Sequence, residues 1–354
     1  IIIHDIDIAR WVARAQEEEN APGFTASETW VRRFKFMHNI VSRKVTKFVI
    51  KKSMLLETDL ENKCVTFIKN LKYYIGHYGL KNIYNSDQSR FQLEFHTGRI
   101  LARKGTKKVQ TVVQSLSSTT HSYTIQPTIT ADGRLLSPLS IVLKEVGGIF
   151  GPRVQENIFK ARNIYTMASK SGKLTSQHVK TWLKDVYFPN VRAKSVLLLD
   201  SWTGQCPNII AETRSEFATD IVLLTIPAGT MRKIQPLDVY GFRMWKNFIK
   251  YFSNMVMLLD LAINLHVRNN ILKLQSLTHN QFSLPRFRNL FKYAWFKSRH
   301  VQNKPTEFQT SVEFCFKSNT KIYCDICGQT TIIICSWCKK SLCVTHFFHE
   351  HHLC

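Results

Sequence analysis

Two groups of residues in the 354-residue sequence have types and spacings that could do chemistry. The first is the tail YCDICGQTTIIICSWCKKSLCVTHFFHEHHLC, residues 323–354. Its ligand spacing is C-x2-C (Cys324, Cys327), C-x2-C (Cys335, Cys338), then C-x2-H (Cys343, His346), with His349, His351, His352 and Cys354 following. A Cys pair two residues apart grips one face of a tetrahedral ion, and two such pairs close a structural zinc site. Six ligands exceed the needs of one ion, so the expectation is two zinc ions in a cross-brace. Cys324/Cys327 would join Cys343/His346, and Cys335/Cys338 would join two of the last residues, for which His351 and Cys354 are the choice. Such a tail has too small a core to fold alone, so zinc would supply its stability.

The second group is acidic. Asp87 ends the short apolar stretch IYNSD, Asp200 ends VLLLD, and Asp238 lies in the first turn of a helix beginning IQPLD. Singly, an aspartate after a strand is a turn former and one at a helix start serves the helix dipole. Taken together they suit another chemistry. Cleavage or transfer of a phosphodiester needs an attacking oxygen activated and a leaving oxygen stabilised, and two Mg²⁺ or Mn²⁺ ions on a few carboxylates do both.

The elements that must position these residues read as a mixed α/β layer fold. Residues 4–19 read as a helix, and a second starts near Thr25, with Thr25 and Glu28 in capping-box spacing and Trp30, Phe34 and Met37 on one face. Residues 50–80 look helical. Strands are expected at IYNSD, KVQTVVQSL, HSYTIQPTIT and RLLSPLSIVLK, the last two joined by a turn at Ala131-Asp132-Gly133. Residues 151–172 read as loop. The pattern then runs helix (SQHVKTWLKDVYF), strand (SVLLLD), helix (PNIIAETRSEFA), strand (DIVLLTIP) and a helix from about Pro236. Residues 254–300 look largely helical, and 300–320 reads as a polar linker.

Composition narrows the partners. Forty-nine Lys+Arg against 25 Asp+Glu give a net charge of +24, which favours polyanions. Membrane insertion is not expected, because the most apolar window, Asn254 to Val267, is short and carries Asp260 and Asn264. The IIIHDIDI start soon turns acidic, unlike a signal peptide. It lacks an initiator Met, so a chain truncated at its start is expected. Of nine cysteines, Cys64, Cys206 and Cys315 are scattered and the rest sit in the tail, a metal-binding rather than a disulfide distribution. Two basic segments are candidate DNA-backbone contacts: Arg32, Arg33, Lys35, Arg43, Lys44 and Lys47 near the N-terminus, and Arg103, Lys104, Lys107 and Lys108 in the loop RILARKGTKKV.

YNSDQS, LLLDSWTGQ and LLTIPAGTMRKIQPLDVYGF resemble the catalytic motifs of pogo/Tigger-type transposases of the mariner superfamily. The family pattern P-x-x-T-x-x-x-Q-P-L-D stands here at Pro227, Thr230, Gln235, Pro236, Leu237 and Asp238. FTASETWVRRFKFMHNI similarly resembles the centromere-protein-B-like helix-turn-helix of that family, and the tail is similar to RING-type modules and to the cysteine-rich end of piggyBac-type transposases. The resemblance implies an RNase H-like catalytic domain with a DDD triad at Asp87, Asp200 and Asp238. It further implies Mg²⁺ or Mn²⁺ as cofactor, terminal-repeat and target DNA as partners, a homodimer in a synaptic complex, and a nuclear location. The chain departs from the family pattern at Arg90, where a small Gly is usual, and one helix-turn-helix unit fits residues 1–50 where the family usually has two. The expected organisation is a helix-turn-helix at 1–50, a helical linker at 51–80, the catalytic domain at 81–300, a linker at 301–320 and the zinc tail at 321–354. The alternative is a domesticated, catalytically inactive DNA-binding or chromatin protein.

Overall fold

The computed structural model describes residues 5–19, 26–41, 51–93, 122–201, 220–317 and 322–354. The chain divides into two compact units, residues 1–57 and 58–354. In the first, α1 (Asp5–Glu18) and α2 (Glu28–Met37) bury Ile8 and Val31. The α2 cap is Ser27, whose hydroxyl accepts from the Trp30 amide. Glu28 is therefore the first helical residue, which removes the Thr25/Glu28 capping box; Thr25 lies outside the described residues. Trp30 and Phe34 stack at 5.2 Å as their i, i+4 spacing requires, but Met37 is 66% exposed and Val31 fills the seam instead.

The second unit begins within the long helix α3 (Lys51–Tyr78) and is built on two four-stranded sheets that adjoin through two long strands. Each of these strands is broken once. The first consists of β1 (Ile83–Ser86) and β2 (Ser89–Gln92), the second of β3 (Ser122–Gln126) and β4 (Thr128–Thr130). Pro127 causes the second break, since it has no N–H for the ladder. Its carbonyl takes bonds from the Asp87 amide at 3.4 Å and the Ser86 hydroxyl at 3.2 Å. β1 pairs with β4 and β2 with β3, both antiparallel. On one side β3 pairs antiparallel with β5 (Leu139–Lys144), and β5 pairs parallel with β6 (Ile164–Ser169). On the other, β1 runs parallel to β7 (Lys194–Leu199), and β7 runs parallel to β8 (Asp220–Thr225). These mixed sheets, flanked by helices, form the RNase H-like arrangement.

The strand β6 occupies part of the stretch expected to be loop, with a short helix α4 (Pro152–Asn157) before it. The turn at 131–133 forms as expected: Gly133, at φ +89°, donates to Thr130 O. The segments KVQTVVQSL and PNIIAETRSEFA lie outside the described residues.

Alternation along the central strands divides the core. Tyr84, Leu197 and Leu199 face one layer with α5 (Ser176–Trp182) and the following Leu183, Val186, Tyr187 and Phe188. Ile83, Val196 and Leu198 face the other. That second layer contains α6 (Met231–Ile234), α7 (Phe242–Leu258), α8 (Arg268–Phe282) and α9 (Arg288–Lys297). It also contains the tail, whose strands β9 (Ile333–Ile334) and β10 (Ser341–Leu342) pair antiparallel. Phe347 and Phe348 pack their rings at a tilt against Phe252 of α7, and Trp337 donates through Nε1 to Asn280 O of α8. The tail thus shares the main core instead of standing alone. The segment 301–317 is packed as well: Val312 and Cys315 are buried, and Phe308, Phe314 and Phe316 lie on the core. Its apolar residues dock it, which a reading of it as a linker did not anticipate. Among the described residues no helix is long and apolar enough to cross a membrane.

Candidate active site and metal centres

Asp87 follows β1 directly, and Asp200 follows β7 directly. The parallel ladder sets Ile83 against Val196 and Asn85 against Leu198; two residues further it sets Asp87 against Asp200. By strand alternation both aspartates lie on the side of Ile83, Asn85, Val196 and Leu198, facing the layer of α6 and α7. Asp238 approaches from that layer. It sits in a wide turn, Leu237–Gly241, between α6 and α7, and turns of this type recur at functional sites.

The three carboxylates feel one another. Asp87 is pushed well above the ordinary carboxylate range, by burial first and then by the negative charges of Asp238 and Asp200; the Gln88 amide, which donates to its Oδ1 at 2.7 Å, and Gln235 oppose the rise. Burial also raises Asp238, against the cations Lys246 and Arg232. Lys246, whose Nζ lies over the Phe91 ring 5.4 Å from its centroid, is lowered by burial and held up by Asp238 and Asp87. Gln235 is fully buried, and neither its Nε2 nor its Oε1 makes a hydrogen bond of good geometry. A pocket of crowded, partly desolvated hard oxygens beside an unsatisfied amide fits a divalent cation better than it fits an empty fold.

Arg90 does not share this pocket. It is exposed on β2, where Ser89 and Phe91 are buried, so the residue at which the chain departs from the family pattern points to solvent. Of the basic candidates, Arg32 and Arg33 are exposed on α2, whereas Lys35 is tied to Asp5 of α1 at 2.6 Å and braces the two helices. Arg43, Lys44, Lys47, Arg103, Lys104, Lys107 and Lys108 lie outside the described residues.

Two further groups in the tail have ligand atoms all within 4.8 Å of one another, Cys324/Cys327/Cys343/His346 and Cys335/Cys338/His352/Cys354; among the described residues these groups alone reach that spacing, and the aspartates stand more openly. Sulfur–sulfur distances of 3.6 Å (Cys327–Cys343) and 3.9 Å (Cys335–Cys354) suit a tetrahedron, whose edges are about 3.8 Å for Zn–S of about 2.3 Å. Burial raises Cys324, but amides including that of Ile326 outweigh it and bring the thiol down to about 6, favouring the thiolate that binds metal. The expected cross-brace pairing is thus the one observed, with one correction. His352, not His351, joins the second group, its Nε2 lying 2.9 Å from Cys354 Sγ and 3.4 Å from Cys338 Sγ. His351 is taken up elsewhere, 2.9 Å from the Ser276 hydroxyl and edge-on to Phe159.

Residues 131–303 match the family model of the DDE superfamily endonuclease, and residues 295–354 match that of the Tc5 transposase C-terminal domain. The chain thus carries a DDE superfamily endonuclease domain joined to a Tc5 transposase C-terminal domain. Asp200 and Asp238 fall within the first match, and all eight clustered Cys and His residues of the tail fall within the second. Its activity is that of a DDE-type endonuclease. No curated protein matches the chain in sequence. Among solved structures it is similar to the Mos1 transposase paired-end complex with left transposon end, at 10% identity and a TM-score of 0.38, covering 84% of this chain and 79% of that one. It is also similar to the catalytic domain of Mos1 mariner transposase, at 10% identity and a TM-score of 0.32, covering 75% of this chain and 100% of that one.

Proposed function

We propose that the chain is a DDE-type transposase in which Asp87, Asp200 and Asp238 are the catalytic carboxylates and hold two Mg²⁺ or Mn²⁺ ions. The reading is carried by one observation: the β1–β7 register sets Asp87 against Asp200 on the sheet face that the Asp238 turn covers. When bound, the ions would activate the attacking oxygen and stabilise the leaving one. The protein's own part is positional. Two adjacent parallel strands and one turn fix the carboxylates, and the buried floor of Ile83, Val196 and Leu198 keeps water from beneath them. The positive chain draws in DNA, and the negative pocket admits a phosphate only in company with cations.

The finer assignments follow the same motifs. The run from Pro227 to Asp238 supports a pogo/Tigger-type member of the mariner superfamily. The helix pair at 5–37 supports a centromere-protein-B-like helix-turn-helix in which Arg32 and Arg33 contact phosphates. The tail groups hold two structural zinc ions, since four protein ligands leave no position for water. The substrate is the terminal repeats of a mobile element, paired by two copies of the chain, in the nucleus.

The test uses the zinc-loaded chain with the repeats that flank its own gene. Nicks should appear with Mg²⁺ or Mn²⁺, vanish with EDTA, and be absent with Asp200→Ala although that variant still folds and binds the DNA. Cleavage retained by Asp200→Ala would refute the assignment.

A further inference from the structure

We infer that Asn85 is a positioning residue that ties together the three segments bearing Asp87, Asp200 and Asp238, and through that tie sets how strongly the site takes up a divalent ion. The inference rests on the catalytic reading above.

Asn85 is fully buried in β1, two residues before Asp87. Its backbone belongs to the ladders with β4 and β7, so its side chain is free for other work. The Nδ2 donates to the carbonyl of Leu198 at 3.3 Å, two residues before Asp200. The Oδ1 accepts from the amide of Leu237 at 3.2 Å, the residue before Asp238. A carbonyl demands a donor and an amide an acceptor, so the two partners together fix which way the carboxamide points. One side chain thereby spans strand, neighbouring strand and helix turn, linking positions separated by 113 and 152 residues.

The arrangement matters because three carboxylates brought to one place repel one another and must be held there by the segments that bear them. The Asp238 turn is seated in the helical layer, not in the sheet, by its buried Leu237, Tyr240 and Gly241. Its other neighbouring anchor is a hydrogen bond between His300 Nε2 and Ile234 O, on the far side of Gln235. Removing the tie takes away the acceptor of the buried Leu237 amide and lets the turn relax away from the strands. Residues that orient metal ligands in this way are worth 10–100-fold in metal affinity.

The experiment uses the full zinc-loaded chain and Mn²⁺ as probe, read by the EPR signal of free Mn²⁺. Asn85→Ser and Asn85→Leu should weaken Mn²⁺ binding by roughly 10–100-fold. Cleavage at limiting Mn²⁺ should fall in proportion and recover at high Mn²⁺, with the KM for DNA unchanged. Ile83→Val on the same strand is the packing control; it should lower Tm and leave Mn²⁺ affinity alone. Asp87→Ala and Asp238→Ala separate the two claims. If these retain Mn²⁺ binding and cleavage, the catalytic reading fails. If they lose both while Asn85→Ser binds Mn²⁺ as the parent does, the tie is dispensable and only the inference fails. Loss of folding in both Asn85 variants would make the residue structural and overturn it equally.

Discussion

Asp87 stands opposite Asp200 across the parallel β1–β7 ladder, on the register that sets Asn85 against Leu198. Both follow strands whose last residues are buried, so two carboxylates are brought together where neither is well solvated. The fold holds this arrangement against its own electrostatics, and stability should reflect it.

The folded-state pKa of Asp87 lies above its ordinary value. A group raised in this way favours folding below its unfolded pKa of about 3.9 and loses that contribution as pH rises through its folded value. The metal-free protein is therefore penalised at neutral pH. Asp87→Asn should stabilise it in EDTA by on the order of 0.5–2 kcal/mol, the usual gain when an active-site strain is removed. The same variant should lose cleavage and the rise in Tm that Mn²⁺ gives the parent. Thermal melts with and without Mn²⁺ check this; an unchanged or lower Tm in EDTA would show that the repulsion is not felt.

Gly133 makes a second prediction. Its φ of +89° suits glycine, and a Cβ there would lie 2.2 Å from the carbonyl oxygen of Arg288 at the start of α9. Backbone cannot yield as a side-chain tip can, so Gly133→Ala combines a conformational cost with overpacking. We expect a loss of roughly 2–4 kcal/mol, measured by urea unfolding. Gly151→Ala, with nothing near its Cβ, should change stability by less than about 1 kcal/mol.

Much of this site is legible in the sequence, because its signals are local. VLLL reads as a buried strand and ends on Asp200; IQPLD announces a helix start that carries Asp238; the C-x2-C pairs announce their own ligands. What stays hidden depends on partners far along the chain. Asn85 looks like any strand residue until Leu198 and Leu237 are beside it. His351 and His352 are adjacent, so spacing cannot choose between them; Ser276 and Phe159 decide by engaging His351. The strand β6 is an edge strand with two half-buried residues, Tyr165 and Thr166, and lacks the apolar run that marks β7. The segment 301–317 reads as polar by composition, yet Val312 and Cys315 are buried and Phe308, Phe314 and Phe316 pack on the core.

The shared core predicts how the tail responds to metal. Gln281 of α8 donates through Nε2 to Cys335 Sγ at 3.6 Å and accepts from the Ser336 amide at 2.6 Å, so the second Cys/His group is bonded directly to the catalytic layer. Stripping metal with a strong chelator should lower the Tm of the whole 58–354 unit in one transition instead of melting the tail separately. Cys343→Ser should act in the same direction. Differential scanning calorimetry distinguishes the outcomes, since a separate low-temperature transition would mean that the tail unfolds independently.

The last prediction concerns acid. His279 and His300 are buried, and burial brings both down to about 4. His279 donates from Nε2 to Leu136 O, and its Nδ1 faces the amide of Asn163 at 3.4 Å; His300 donates to Ile234 O, and its Nδ1 has no partner. A proton added at either Nδ1 would meet a donor or nothing. Because the unfolded chain protonates these rings near pH 6.5 and the folded one near 4, the unfolded state binds more protons throughout that window. Stability is complete above about pH 6.5 and falls towards pH 4, by about 1.4 kcal/mol per pH unit for each ring. His300→Asn should be less stable at pH 7 but should show a shallower decline between pH 6.5 and 5, by that same increment per pH unit. Urea unfolding of the zinc-loaded protein across the window measures the slope, and an identical slope in the variant would show that His300 takes up its proton without unfolding.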